Sequence, residues 1–286
     1  MIKRLLLTLM LSLLGGLAAG CLNPGPIRVL SFNIRTASAD DDSNAWELRR
    51  GHVIEVIRAQ HPDVLALQEA LLAQVTELRT ALPEYGFVGV GRDDGATAGE
   101  FVPLFYLRRR FSLVDDGHFW LSAQPERVGS VGWDAALPRI ATWVRLRFKD
   151  APLTDMQVVN VHFDHVGAQA RVESARLIRQ LSESLGGLPL IVLGDFNCPP
   201  GSPPYRMLTH EGRDLAALSD VHVSCAAAAA GTYHAFTGQP REGRIDWILV
   251  SRQFSALQAD VDRTDFAGRY PSDHFPVVAT LRLTRN

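Results

Sequence analysis

Runs of β-branched and aliphatic residues recur along the chain, and each reads as a buried strand. They cover 27–34, 63–68, 87–90, 102–107, 112–121, 140–148, 156–163, 190–193, 245–250 and 276–283. Three intervening segments switch to helical period. Trp46, Val53, Ile54 and Ile57 share one face behind an Asn44-x-x-Glu47 capping box. Residues 71–82 form a second amphipathic helix, and Val172, Ala175, Ile178, Leu181 and Leu185 mark a third, closed by Gly186-Gly187. Loops rich in Gly and Asp at 91–100, and the loop at 125–138, separate some strands of the middle region. Too many strands are consecutive for a singly wound parallel sheet. Two sheets packed face to face with helices outside fit the order better, which predicts an α/β fold of the four-layer α-β-β-α sandwich type. No linker, repeat or sustained charge block interrupts residues 27–284, so they read as one domain, and the chain is expected to be a monomer.

The N-terminus follows different rules. Lys3 and Arg4 precede an apolar run from Leu5 to Leu14, followed by small residues and Cys21. This is the layout of a secretion signal over residues 1–20, too short to span a bilayer as a permanent helix. Leu17-Ala18-Ala19-Gly20-Cys21 resembles a lipobox with leucine replaced by Ala18. Lipidation of Cys21 would tether the protein to the cell envelope, on its periplasmic face or surface; ordinary cleavage near Ala19 would give a soluble exported product. Loss of the leader shifts the formal charge from −2 to −4. With a pI near 6.5, no global basic field exists to coat nucleic acid, so any such contact must be local. Three cysteines are too few for a disulfide scaffold and lack zinc-ligand spacing.

Chemistry-bearing residues concentrate where buried runs end. Asn33 follows the first, Gln68 and Glu69 the second, and Asn160, His162, Asp164 and His165 cluster around the end of another. Asp195 and Asn197 follow 190–193, Arg244 and Asp246 open 245–250, and Asp273 and His274 open the last strand. Singly, each has an ordinary structural reading: a strand end, a helix cap, an Asx turn, or a hydrogen-bonded histidine. Together they require six coincidences, all supplying oxygen ligands or imidazoles. Such a set suits a hard cation, Mg²⁺ or Mn²⁺, beside a phosphate ester.

Ser31-Phe32-Asn33, Leu67-Gln68-Glu69, Asn160-Val161-His162, Gly194-Asp195-Phe196-Asn197, Arg244-Ile245-Asp246 and Ser272-Asp273-His274 occur in the order of the endonuclease/exonuclease/phosphatase family, and the chain resembles it from about residue 27 to 283. The segments from Gly132 to Arg139, His162 to Gly167 and Gly231 to Gly238 resemble a bacterial branch whose substrates are poorly defined. His162 makes the chain more similar to deoxyribonuclease I, deadenylase and sphingomyelinase types than to exonuclease III types, which carry tyrosine there. The resemblance implies the four-layer fold and metal-dependent hydrolysis of phosphodiesters or phosphomonoesters. In this reading Glu69 is the main metal ligand, with Asn33 and Asp273 completing its shell or holding its waters. Asp195 positions and deprotonates the attacking water, as an exposed carboxylate helped mainly by proximity, and Asn197 binds the same water or a phosphate oxygen. His274, oriented by Asp246, contacts the scissile phosphate or serves as the base, and His162 is a second imidazole on the phosphate or leaving group. Arg139 is a phosphate clamp or a solvated strand residue. Asn160 supports its neighbour or the phosphate, and Asp164 and His165 either support the groups that touch substrate or contact substrate themselves.

Three functions compete. The first is an exported metal-dependent phosphodiesterase, a nuclease in its strongest form, although an acidic mature chain offers little attraction to a nucleic-acid backbone. The second is a phosphatase or diesterase for small metabolites or lipid head groups; a lipid surface calls for an aromatic hairpin, and Trp120 and Trp133 read as packed instead. The third, an inactive envelope-tethered binding domain, should lack part of the ligand set, which is complete.

Overall fold

The computed structural model describes residues 24–184, 187–209, 217–225, 231–241 and 243–284. The leader with Cys21, Leu185 and Gly186 at the expected end of the third helix, and the alanine run 226–230 lie outside them. The elements, in chain order, are β1 (Ile27–Asn33), α1 (Trp46–Gln60), β2 (Val64–Gln68), α2 (Leu72–Ala81), β3 (Tyr85–Val88), β4 (Leu104–Leu107), β5 (Phe111–Trp120), β6 (Ile140–Phe148), β7 (Asp155–His162), α3 (Ala168–Ser184), β8 (Leu190–Asp195), α4 (Pro203–Thr209), β9 (Ser219–Asp220), α5 (Val221–Ser224), β10 (Asp246–Val250), β11 (Phe254–Val261) and β12 (Val277–Leu283).

Two six-stranded mixed sheets result, in the orders β11-β12-β1-β2-β4-β3 and β5-β6-β7-β8-β10-β9. Alternation along the strands explains why both faces of each sheet are buried. In β1, Ile27 and Val29 enter a core that also holds Val158, Ile191, Leu193 and Ile248 from the second sheet, while Leu30 and Phe32 point to the other face and meet Val53, Val56 and Ile57 of α1. The second sheet repeats the scheme: Val159, Val161, Val192 and Trp247 pack outward on Ala175 and Ile178 of α3. The four-layer sandwich expected from the order of runs is the observed fold.

The same alternation leads to the functional end. The inner-face positions of β1 are 27, 29, 31 and 33; those of β8 are 191, 193 and 195. At the C-terminal ends of β1, β2, β7 and β8 this inner row turns from aliphatic to Asn33, Gln68, His162 and Asp195. Strand register then aligns them: Asn33 pairs with Gln68 across the parallel β1–β2 ladder, and Asp195 stands opposite both His162 on β7 and Asp246 on β10.

Gly194 makes this register possible. Its φ is +147°, and a Cβ there would sit 2.0 Å from the carbonyl oxygen of Val161 on β7. Gly194→Ala should therefore push β7 from β8 and lower stability by about 2–4 kcal/mol, read as a lower urea midpoint.

Some local expectations are corrected. The Asn44–Glu47 capping box does not form: α1 starts behind Ala45 with no side-chain cap, and the carbonyl of Asn44 instead accepts Nε of the buried Arg49 at 2.8 Å. At the next helix it is Gln74 Oε1 that accepts the Leu71 amide. Trp120 is buried with Val102 and Ile140, as its packed reading required. Cys198 and Cys225 are both free thiols. The Arg108-Arg109-Arg110 turn lies at the opposite end of the sandwich from Asn33 and Gln68, where Arg110 pairs with Asp63 at 2.8 Å and Arg108 Nη1 donates to the Pro83 carbonyl.

Candidate active site

The polar ends of the inner rows open into a cavity of about 400 Å³. One sheet contributes Glu69, after β2, and Asp273 and His274, before β12; the other contributes His162, Asp195 and Asn197. Arg139 and His165 form part of the wall. Eight sequence-predicted residues therefore meet around one space.

Three others stand just behind it. Asn33 is fully buried and donates Nδ2 to Glu69 Oε1 at 2.9 Å and to Asp195 Oδ2 at 3.0 Å. Its own oxygen accepts the Arg35 amide at 3.0 Å. Asn33 thus brackets the two carboxylates across the sheet interface and supports Glu69, the expected metal ligand, through its amide. Asp246 holds His274 Nδ1 at 2.9 Å. Asp164, expected to touch substrate or to support the groups that do, is 1% exposed, with Oδ1 receiving the amides of Ala136, Val166 and Gly167 and Oδ2 receiving Arg139 Nε. It stands behind Arg139 and joins the two loops from beneath the cavity wall.

Asn160 is placed elsewhere. One inward step before His162, it lies between the sheets, accepting from Gln68 Nε2 at 2.7 Å and donating to the carbonyls of Leu67 and Pro103, both at 2.8 Å. Its amide satisfies buried backbone groups that hydrophobic neighbours would leave unpaired. The phosphate contact expected of it is corrected.

Backbone strain marks the site. Arg35, Glu69 and Asn197 have φ of +55°, +63° and +50°. Each non-glycine residue in this region costs about 1–3 kcal/mol and persists only where its surroundings hold it. Glu69 is held by the Thr36 amide on Oε2, and Asn197 by its own amide on Asp195 Oδ1 and its Nδ2 on the Phe163 carbonyl.

Electrostatics divide the two imidazoles. Burial opposes charge on His274, but Asp246, through charge and hydrogen bond, and then Asp195 and Asp273 hold it protonated well above the usual histidine range. His162 moves the other way, driven well below that range by burial and then by Arg139 and Arg92. One ring is an imidazolium at neutral pH and the other is neutral. Asp195, expected to be exposed, is 1% exposed. Burial and the facing Asp246 push its carboxyl up to about 7, a basicity suited to accepting a proton near neutrality.

Donor atoms of Glu69, His162 and Asp195 lie within 4.8 Å of one another. Two carboxylates drawn together in a buried setting, with only an amide between them, form a donor set that fits a divalent cation. Sequence reading missed Arg35, Glu100 and Tyr233, which also line the cavity. Arg35 grips Asp41 with Nε and Nη2 at 2.9 and 3.0 Å and stands 3.8 Å from Asp273. Glu100 is paired with Arg92 and raised above the usual carboxylate range by burial. Both come from loops without hydrophobic periodicity, so only the closed fold reveals them.

A profile of the endonuclease/exonuclease/phosphatase family matches residues 30–274, from β1 to the last site histidine. The chain belongs to this family. An endonuclease/exonuclease/phosphatase family protein from Bacteroides thetaiotaomicron is 35% identical, with a TM-score of 0.86 over 92% of this chain and 100% of that one. A mannosyl-6-phosphatase from the same organism is 36% identical, with a TM-score of 0.82 over 89% of this chain and 99% of that one. Human Nocturnin is 24% identical over 298 residues, covering 91% of this family member but 66% of Nocturnin itself. The chain spans 34–66% of the length of the first curated relatives it matches.

Proposed function

We propose that this protein is a divalent-metal-dependent phosphoesterase that removes a terminal phosphate from a small hydroxyl-rich molecule, such as a phosphorylated sugar, with Mg²⁺ or Mn²⁺ as its ion. The observation that carries this reading is the form of the cavity. It is a pocket bounded by Leu137, His165 and Tyr233, with the Glu100 carboxylate in its wall. With one oxygen held by Arg92, that carboxylate can still accept a substrate hydroxyl on the other. The nearby guanidiniums of Arg35, Arg92 and Arg139 are already engaged by Asp41, Glu100 and Asp164, so they form no free basic track. The 36% identity to a mannosyl-6-phosphatase supports the same class.

Glu69, with Asp195 beside it, would hold the ion. When bound, the ion supplies Lewis-acid polarisation of a nonbridging phosphate oxygen. Asp195 takes the proton of the attacking water as the new P–O bond forms and the ester P–O bond breaks. The departing alkoxide takes a proton from solvent and leaves as the alcohol. His274, kept cationic by Asp246, donates to a phosphoryl oxygen and stabilises the added charge. We place this chemistry outside the cytoplasm, with the leader and Cys21 as the support, the lipid anchor being the route to the envelope.

The test compares mannose 6-phosphate with bis(p-nitrophenyl) phosphate, in chelator and after Mg²⁺ or Mn²⁺ is restored. Monoester turnover should fall by about 10²-fold or more in chelator, a loss of several kcal/mol, and return with either ion. Faster cleavage of the diester would transfer the reading to a phosphodiesterase. Turnover indifferent to chelation would end the metal-dependent proposal.

A further inference from the structure

We propose that Arg139 is a positioning residue that, anchored by Asp164, fixes both His162 and His165 as Nε2–H tautomers, so that each offers a proton donor to the phosphate ester. The inference rests on the proposed phosphoesterase reading for the role of these donors, but not for the tautomers themselves.

Arg139 is 4% exposed and its three nitrogens are each committed. Nε donates to Asp164 Oδ2 at 3.2 Å, Nη1 to His162 Nδ1 at 3.2 Å and Nη2 to His165 Nδ1 at 2.9 Å. A guanidinium has N–H donors and no lone pair to accept with. Both Nδ1 atoms must therefore accept, and each neutral ring must carry its proton on Nε2. Glu100 would favour the opposite tautomer of His162 if it reached Nδ1, but its nearest oxygen is 4.0 Å away and is held by Arg92.

Asp164 makes the fork rigid. Through Ala136 on one side and Val166 and Gly167 on the other, it ties the loop before β6 to the loop after β7. Arg139 and both histidines leave those two segments, so one buried carboxylate sets the spacing of all three. The His162 Nε2 that carries the proton lies 3.7 Å from Asp195 Oδ2. A ring so set cannot take a proton from water at that nitrogen, which leaves Asp195 as the acceptor and gives His162 the task of holding a phosphate oxygen.

The test uses ¹⁵N-histidine-labelled protein and two-bond ¹H–¹⁵N correlation spectra at neutral pH, with His162→Gln and His165→Gln to assign the rings. Both Nδ1 atoms should show the unprotonated signature. In Arg139→Met, His162 should lose the single Nε2–H form, and kcat for the monoester should fall about 10–100-fold with KM moving less than about 3-fold. Arg139→Lys keeps the charge but replaces the fork by one point donor, so at least one ring should still change tautomer even if the methionine variant fails to fold. An Nδ1–H signature in the wild type, an unchanged tautomer in the lysine variant, or a loss confined to KM would overturn the proposal, the last by making Arg139 a phosphate clamp. Correct tautomers in a protein without phosphoester turnover would instead overturn the proposed reaction.

Discussion

Asp195→Asn should lower kcat by about 10³–10⁴-fold and at the same time raise the melting temperature of the metal-free protein at pH 8. The loss of rate follows from removing the carboxylate that accepts the proton of water. The gain in stability follows from linkage. An ordinary aspartate titrates near 4, whereas in the folded protein burial and Asp246 hold Asp195 at about 7. The folded state thus binds more protons than the unfolded state between those values, and stability falls as pH rises from 4 through 7. A neutral asparagine of the same shape removes that penalty, on the order of 1 kcal/mol or more after the loss of one of the hydrogen bonds from Asn33 or the Asn197 amide. Thermal melts in chelator beside steady-state kinetics check both halves. A variant that is inactive and also less stable at pH 8 would contradict the account of Asp195 as a strained base.

Asp246→Asn should cost about 10²–10⁴-fold in kcat by the complementary route. His274 is buried and is charged only because Asp246 lies 2.9 Å from Nδ1, with Asp195 and Asp273 adding to the effect. Without that carboxylate, burial prevails and the ring is neutral at pH 7. The alkaline limb of the rate profile should then move to lower pH. The sign for stability is set by the raised histidine: its contribution is complete below about pH 6.5 and is lost as pH climbs through the folded value. The variant should accordingly be less stable than the parent by about 3 kcal/mol at pH 6, with the gap narrowing in alkaline solution. Urea titrations at pH 6 and pH 9 read this directly; a gap that widens with pH would refute it.

The fold was legible because its sheets are covered on both sides, so their strands read as unbroken apolar runs. β11 went unrecognised for the converse reason: at the edge of its sheet, it leaves Leu257 and Gln258 exposed and carries little apolar pattern. α4 and the paired β9 and α5 are too short for any period to declare itself. The site was legible where inner-row positions turned polar, as at His162 and Asp195. Asn160 was misread because an amide that staples two sheets and one that faces a phosphate carry the same letter, and only depth along the strand separates them. Arg49 shows the opposite difficulty. On sequence it is one of two adjacent helix arginines; in the fold it is 1% exposed and donates to the carbonyls of Ile34, Arg35, Asn44 and Pro271. It thereby ties the segment after Asn33 to the segment before Asp273, a role created by closure across more than two hundred residues.

The second sheet is drawn from one uninterrupted stretch, β5 through β10, whereas the first is assembled from both ends of the chain. Neither half holds a working set: Glu69 and Asp273 lie on one side of the seam, and His162, Asp195 and Asp246 on the other. Competence therefore appears only when the last strands, β11 and β12, return to β1 and bring Asp273 and His274 with them. A nascent chain halted before β12 carries most of its acidic and imidazole groups but no hydrolytic centre. Turnover is thus a late reporter of assembly, and slippage between the sheets should silence it before either sheet melts.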